Sequence, residues 1–229
     1  MNRIFRKLRQ QRPTASQIAK QERLGENHWF ALTLAAELHD SSSRVAEYEN
    51  GRLSNEMMSL ATAIDRGFLA LNHRPDAADA GFIATSTTAT GEPRDRDGPG
   101  SGGYSVLWGR GYGRQTSSMI ALHCFRRARQ LGNSDVADRY RRLASNASRV
   151  YGHAGAPPET IDLWPVESGT VVLIHLAAYQ ETRDEFHLRE ARRRAEEAVT
   201  LFWDDSSPLP KTSRHRDHYE TITGAETLK

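Results

Sequence analysis

The sequence predicts an all-α protein of stacked helical hairpins, and three observations predict it. Apolar residues recur at the helical period in several separate stretches. Paired stretches are joined by short turns, which make antiparallel neighbours. The later pairs repeat one another at an offset of roughly 50 residues, the size of a two-helix unit that stacks to share a core.

Residues 1–24 form a basic arm with Arg3, Arg6, Lys7, Arg9 and Arg12 and no apolar centre. It is expected to be a solvated arm; Ile4, Phe5 and Leu8 on one face leave a surface anchor or transit segment as the other reading. An N-terminal hairpin follows over 25–72. Its first helix is expected over Trp29–Leu38. The second opens at Ser54 as N-cap and carries the stripe Met57, Leu60, Ala61, Ile64, Phe68 and Leu71.

The period stops over 73–107, where Thr, Gly, Pro and Asp dominate and no core-forming stripe stands out. A stretch this long without elements is expected to be a functional or disordered loop. From 108 to 229 the helical period returns. A helix is expected over Gly113–Leu131, then a turn at Gly132 and Asn133. The next opens at Ser134 and Asp135 and carries Val136, Ala137, Tyr140, Leu143, Ala144, Ala147 and Val150. Gly169–Gln180 and a stripe from Leu188 to Phe202, opened near Asp184, make the following hairpin. Met119 to His123 aligns with Val171 to His175, and Tyr140 to Ala144 with Ala191 to Ala195, which puts His123 and His175 at equivalent, packing positions. Arg139, Arg142 and Arg149, and Arg193, Arg194 and Glu197, fall on the polar faces. Tyr219 to Lys229 starts a further segment with no partner helix. Truncation, or a second subunit or second copy covering the open edge, is therefore expected.

Bulk properties narrow the functions. The 229 residues carry a net charge of +2, too little for a nucleic-acid footprint. No run reaches the length of a membrane span, and no secretory signal is present. The single cysteine, Cys124, excludes an internal disulfide framework. It fits a reducing compartment or a secreted protein without bridges; a cytoplasmic location is expected.

An aromatic and polar cluster precedes each later inner helix. The first is Trp108 to Arg114 and includes Tyr112; the second is Asp162 to Glu167 and includes Trp164; the third is Asp217, His218, Tyr219 and Glu220. Stacked hairpins bring these three loops to one end. Flat indole and phenol faces suit the apolar side of a pyranose, while carboxylates and Arg suit its hydroxyls. Hydrolysis of a glycosidic bond needs two carboxyl groups, for which Asp162, Glu167, Asp217 and Glu220 are candidates. Eliminative cleavage needs a base and a cation beside a uronate, for which Tyr112, Tyr219, His218 and Arg114 are candidates. Trp108, Tyr112, Arg114 and Trp164 are the expected substrate-binding set. Each also has a structural reading: Trp108 and Trp164 as wedges between repeats, Asp162 and Asp217 as caps, Glu167 and Glu220 as first-turn charges.

On the hairpin rhythm, on Leu163-Trp164-Pro165 before one inner helix and on Asp217 to Glu220 before the next, the stretch 108–229 resembles the six-hairpin glycosidase-like (α/α) toroids. That family includes glycoside hydrolases and polysaccharide lyases. The resemblance implies an incomplete (α/α)6 toroid of about three hairpins, a carbohydrate substrate that can contain uronate, and no cofactor. A non-catalytic helical-repeat scaffold binding a protein or glycan, or an inactive fragment of a larger enzyme, is the alternative.

Other signals carry less. Asp95 and Asp97 lack calcium-loop spacing, and Gly109, Gly111 and Gly113 follow no strand and precede no phosphate-loop Lys. His215 and His218 beside Asp217 read as exposed rather than as metal ligands. His123 and Cys124, adjacent on a helix, point in different directions and make no nucleophile–base pair.

Overall fold

A computed structural model of the chain describes residues 28–48, 51–76, 81–84, 93, 103–109 and 116–216. These residues form six α-helices, and isolated β-bridges pair Ile83 with Tyr104 and Val106 with Thr116. The helices are α1 His28–Tyr48, α2 Arg52–Leu69, α3 Ser117–Leu131, α4 Asp135–His153, α5 Pro165–Thr182 and α6 Glu185–Phe202. The all-α expectation holds, as do the three hairpins α1–α2, α3–α4 and α5–α6. The arm 1–24 and the segment after 216 lie outside the described residues.

Each helix has a local cause. Ser134 and Asp184 cap α4 and α6 as predicted, accepting from Ala137 N at 3.2 Å and Phe186 N at 3.0 Å. Four boundaries differ from expectation, the first being α3, which starts at Ser117 rather than Gly113 because Thr116 is held in extended backbone at φ −88°, ψ 151°. Helix α1 continues past Leu38 because Ser42 turns its hydroxyl back onto the His39 carbonyl at 2.7 Å, so the serine run does not end the helix. Helix α2 starts at Arg52 rather than near Ser54, because Gly51 supplies the reversal at φ 76°. Helix α5 starts at Pro165 rather than Gly169; proline is preset for a first helical position, where its missing N–H is no loss.

The hairpins stack in two layers. Helices α1, α3 and α5 pack in succession, α2, α4 and α6 follow in the same order, and α1 and α5 do not meet. One buried cluster joins all three hairpins through Leu32, Phe68, Ile120, Phe125, Tyr140 and Ile174. The N-terminal hairpin therefore shares its core with the later two. The stretch 73–107 shows no core-forming stripe, yet Phe82 and Ile83 are fully buried. Phe82 rings lie 6.4 Å from Phe68 and 5.4 Å from His73, and Ile83 bridges Tyr104. Two apolar residues are too few to show a period, so sequence pattern could not reveal them.

Inside this core stands an ion pair. Arg127 on α3 grips Asp65 on α2 with Nε–Oδ1 at 3.1 Å and Nη2–Oδ2 at 2.6 Å. Tyr140 on α4 donates to the same carboxylate at 2.9 Å. Three helices are thus pinned through one buried group.

The repeat register also differs from expectation. The buried faces of α3 and α5 coincide when Ser118, Ala121, Cys124, Phe125 and Ala128 are laid on Ser168, Val171, Ile174, His175 and Ala178. His175 stands where Phe125 stands, and His123 is not its equivalent. His123 instead reaches Thr33 on α1 at 3.3 Å. His175 is fully buried and pairs with fully buried His187 on α6, Nδ1 to Nδ1, at 3.1 Å.

Burial, with His187 beside it, pushes His175 down to about 3, and burial lowers His187 as well. Both imidazoles stay neutral in the fold, whereas the unfolded chain protonates them below about pH 6.5. Stability is therefore fully present above that pH and is lost as pH falls toward 3. As pH is lowered from 6.5 to 5, the melting temperature of the native chain should drop relative to that of His175→Phe/His187→Leu. Parallel slopes would show that the pair does not titrate in this way.

Candidate functional site

The loops before α3 and α5 and the segment after α6 meet at one end of the stack. Tyr151, near the end of α4, accepts from the Ser118 N–H at 3.0 Å and donates to the Leu107 carbonyl at 2.5 Å. This fixes 103–109 over the start of α3. Ser105 adds bonds to Ser117 at 2.7 Å and Phe82 N at 2.9 Å. Trp108 then lies edge-on to Tyr151, ring centroids 5.2 Å apart.

Arg194 on α6 was expected on the polar face but is only 3% exposed. It bonds the Tyr151 and Gly155 carbonyls at 2.8 and 2.9 Å and places its guanidinium over Trp108 at 5.5 Å. The sequence carried a signal for this. Arg194 lies three residues after buried Ala191 and four before buried Ala198, so it sits on the core stripe.

Glu167 is the chemically unusual group. Its Oε2 accepts from the Trp164 N–H at 3.2 Å, while its own N–H donates to the Trp164 carbonyl at 3.1 Å. The carboxyl is thus the first-turn partner of the chain entering α5, in keeping with its structural reading. Gly109 packs directly on it: a Cβ there would stand 1.7 Å from Oε1. The residue is 4% exposed, and burial pushes its carboxyl up to about 7, against the Trp164 N–H bond that lowers it. Asp162 adds further upward pressure.

Asp162 does not cap α5. Its Oδ1 accepts from the His215 N–H at 3.2 Å, and Oδ2 lies 3.8 Å from Arg216 Nε. Trp164 occupies the cap position of α5 and carries the Arg216 guanidinium over its ring at 5.6 Å. Arg214 ties 211–216 to the preceding loop through the carbonyls of Pro157, Pro158 and Ile161. Trp108, Asp162, Trp164 and Glu167 are therefore brought to one end. Tyr112, Arg114, Asp217, His218, Tyr219 and Glu220 lie outside the described residues.

Trp164 is wedged into the fold, whereas Trp108 is half-buried. Trp164 is 9% exposed, and Trp108 packs between two apolar clusters with its indole N–H buried and unpartnered. Beside Trp108 opens a cavity of about 410 Å³, walled by the 156–163 loop, the start of α5 and the later turns of α6. Its charged lining residues, Glu159, Arg193, Arg194, Glu196, Glu197 and Arg214, were not singled out as site residues, because nothing local marks them. Among the described residues, no three His, Cys, Asp or Glu side chains are grouped to hold a metal ion, and no helix is long and apolar enough to cross a membrane. Cys124 is fully buried, which pushes its thiol well up and leaves it a core group.

The raised carboxyl of Glu167 has a stability consequence. The unfolded chain ionises this group near pH 4.5 and the fold only near 7, so the native state loses stability as pH rises through that window. Glu167→Gln keeps an acceptor for the Trp164 N–H and cannot ionise. Unfolding free energies of variant and native chain should diverge in the variant's favour between pH 4.5 and 7, by on the order of 2–3 kcal/mol. A constant difference across that range would contradict the assignment. No protein-family model, curated protein or solved structure matches the chain, so its function is argued from this site alone.

Proposed function

We propose that the chain is a carbohydrate-active protein, a glycoside hydrolase or polysaccharide lyase, working where the loops 103–109, 156–164 and 211–216 meet. One observation carries this: a buried carboxyl at Glu167 that keeps its proton to about pH 7, at a loop end that also holds a second carboxylate and a cavity. A carboxylic acid still protonated near neutrality can donate to a leaving glycosidic oxygen. Asp162 is the described candidate for the second carboxyl group that hydrolysis requires. The elimination set Tyr112, Arg114, His218 and Tyr219 and the further carboxyls Asp217 and Glu220 lie outside the described residues. The succession of three hairpins in two layers supports a toroid segment as the scaffold of this reading.

A second reading is a non-catalytic helical scaffold that binds a glycan or a protein. It is favoured by Glu167 lying 4% exposed and outside the cavity wall, with Trp164 wedged into the fold. Turnover separates the two. The full chain, screened on a panel of neutral and acidic polysaccharides, should release reducing ends from at least one. Glu167→Gln should lower kcat on that substrate by about 10²–10⁴-fold and abolish the alkaline limb of the pH–rate profile near 7. A folded chain inert on the whole panel, or equal kcat in the variant, would leave the scaffold reading in place.

A further inference from the structure

We infer that the cavity beside Trp108 is a subsite for a neutral sugar residue rather than a uronate, an inference that rests on the carbohydrate reading above. Its volume of about 410 Å³ falls within the range of small-molecule sites. Leu163, Val171, Leu201 and Trp108 give it an apolar wall, which suits the hydrophobic face of a pyranose.

The charges decide the ligand class. Three arginines and three glutamates line the cavity, so its formal charge is balanced, but the pairing is not. Arg193 directs Nε and Nη2 to Glu190 and Nη1 to Glu197 at 2.8 Å. Arg194 gives Nη1 to Glu197 at 2.9 Å and Nη2 to two backbone carbonyls. Arg214 commits Nη1 to the carbonyls of 157, 158 and 161. Neither Arg193 nor Arg194 therefore keeps a guanidinium fork open for a ligand carboxylate, and Arg214, with Nη1 committed and Nε buried, keeps only Nη2, short of the paired geometry that acid recognition uses.

Glu159 and Glu196 are the opposite case. Both are exposed at the rim, and neither carboxylate has an ion-pair or hydrogen-bond partner among the described residues. A carboxylate accepts from vicinal hydroxyls and repels an anionic ring. The Ser168 hydroxyl, also in the lining, adds a donor and an acceptor, and the Thr200 hydroxyl, which donates to the Glu196 carbonyl at 2.9 Å, adds an acceptor. The resulting surface is apolar below and acceptor-rich above, as a neutral polyol requires. A neutral subsite also bears on the reaction, because eliminative cleavage needs a uronate to acidify the departing proton and hydrolysis does not.

Binding of cellotriose, maltotriose, trigalacturonate and a chitosan trimer to the full chain, followed by calorimetry, tests this. One neutral trimer should bind at least about tenfold tighter than trigalacturonate. The surface variant Glu159→Gln/Glu196→Gln should weaken that neutral binding about tenfold or more, as loss of charge-assisted hydrogen bonds does. Preference for trigalacturonate or for the chitosan trimer, or neutral binding unmoved by the double variant, overturns the neutral-subsite assignment while leaving a carbohydrate function standing. A folded chain that binds none of the four overturns both.

Discussion

The arrangement of the hairpins depends on the buried contact between Asp65, Arg127 and Tyr140. Apolar faces alone let adjacent helices slide by a turn at little cost, since one methyl group packs much like another. A bidentate ion pair does not slide. Asp65 is 3% exposed and Arg127 fully buried, so each would be left as an uncompensated charge if the register shifted. Tyr140 accepts the same constraint from α4, and its hydroxyl is pushed well up by burial and by the Asp65 carboxylate. Helix α2 is thereby fixed against α3 and α4. With α3 fixed, the loops before α3 and α5 reach the same end of the molecule.

At that end the links are again polar groups in low-dielectric surroundings. Tyr151 joins the Leu107 carbonyl to the start of α3; Arg194 joins the end of α4 to the next loop and stacks on Trp108; Arg214 joins the last described segment to the 157–161 carbonyls. Gly109 is needed where it stands, because any side chain would collide with Glu167. The chemistry proposed for Glu167 is a by-product of this packing: the same burial that seats the loop raises the carboxyl. Position and protonation state share one cause.

Much of the fold was legible because its determinants are local. The stripes on α2, α4 and α6 and the caps Ser134 and Asp184 lie within a turn or two of what they specify. What escaped was set at long range or by exceptions to composition. Phe82 and Ile83 are core residues inside a Gly- and Thr-rich stretch, and Ser42 continues a helix that its neighbours suggest should end. Asp65 and Arg194 were legible in principle, since each stands on an apolar stripe where a charge demands a buried partner. The convergence of Trp108, Asp162, Trp164 and Glu167 followed from hairpin stacking, whereas the cavity lining could not, because its residues come from four separate segments. The slip in repeat register, which equated His123 with His175, came from matching residue identity where burial was the better guide.

A double-mutant cycle on Asp65 and Arg127 tests the central claim most directly. Asp65→Ala and Arg127→Ala should each lower the unfolding free energy by about 3–5 kcal/mol, because each leaves a buried charge unpaired. The double variant should cost far less than the sum of the two, giving a coupling of at least about 2 kcal/mol. Additive effects, with the double variant losing the full sum, would show that the two residues do not hold the hairpins together.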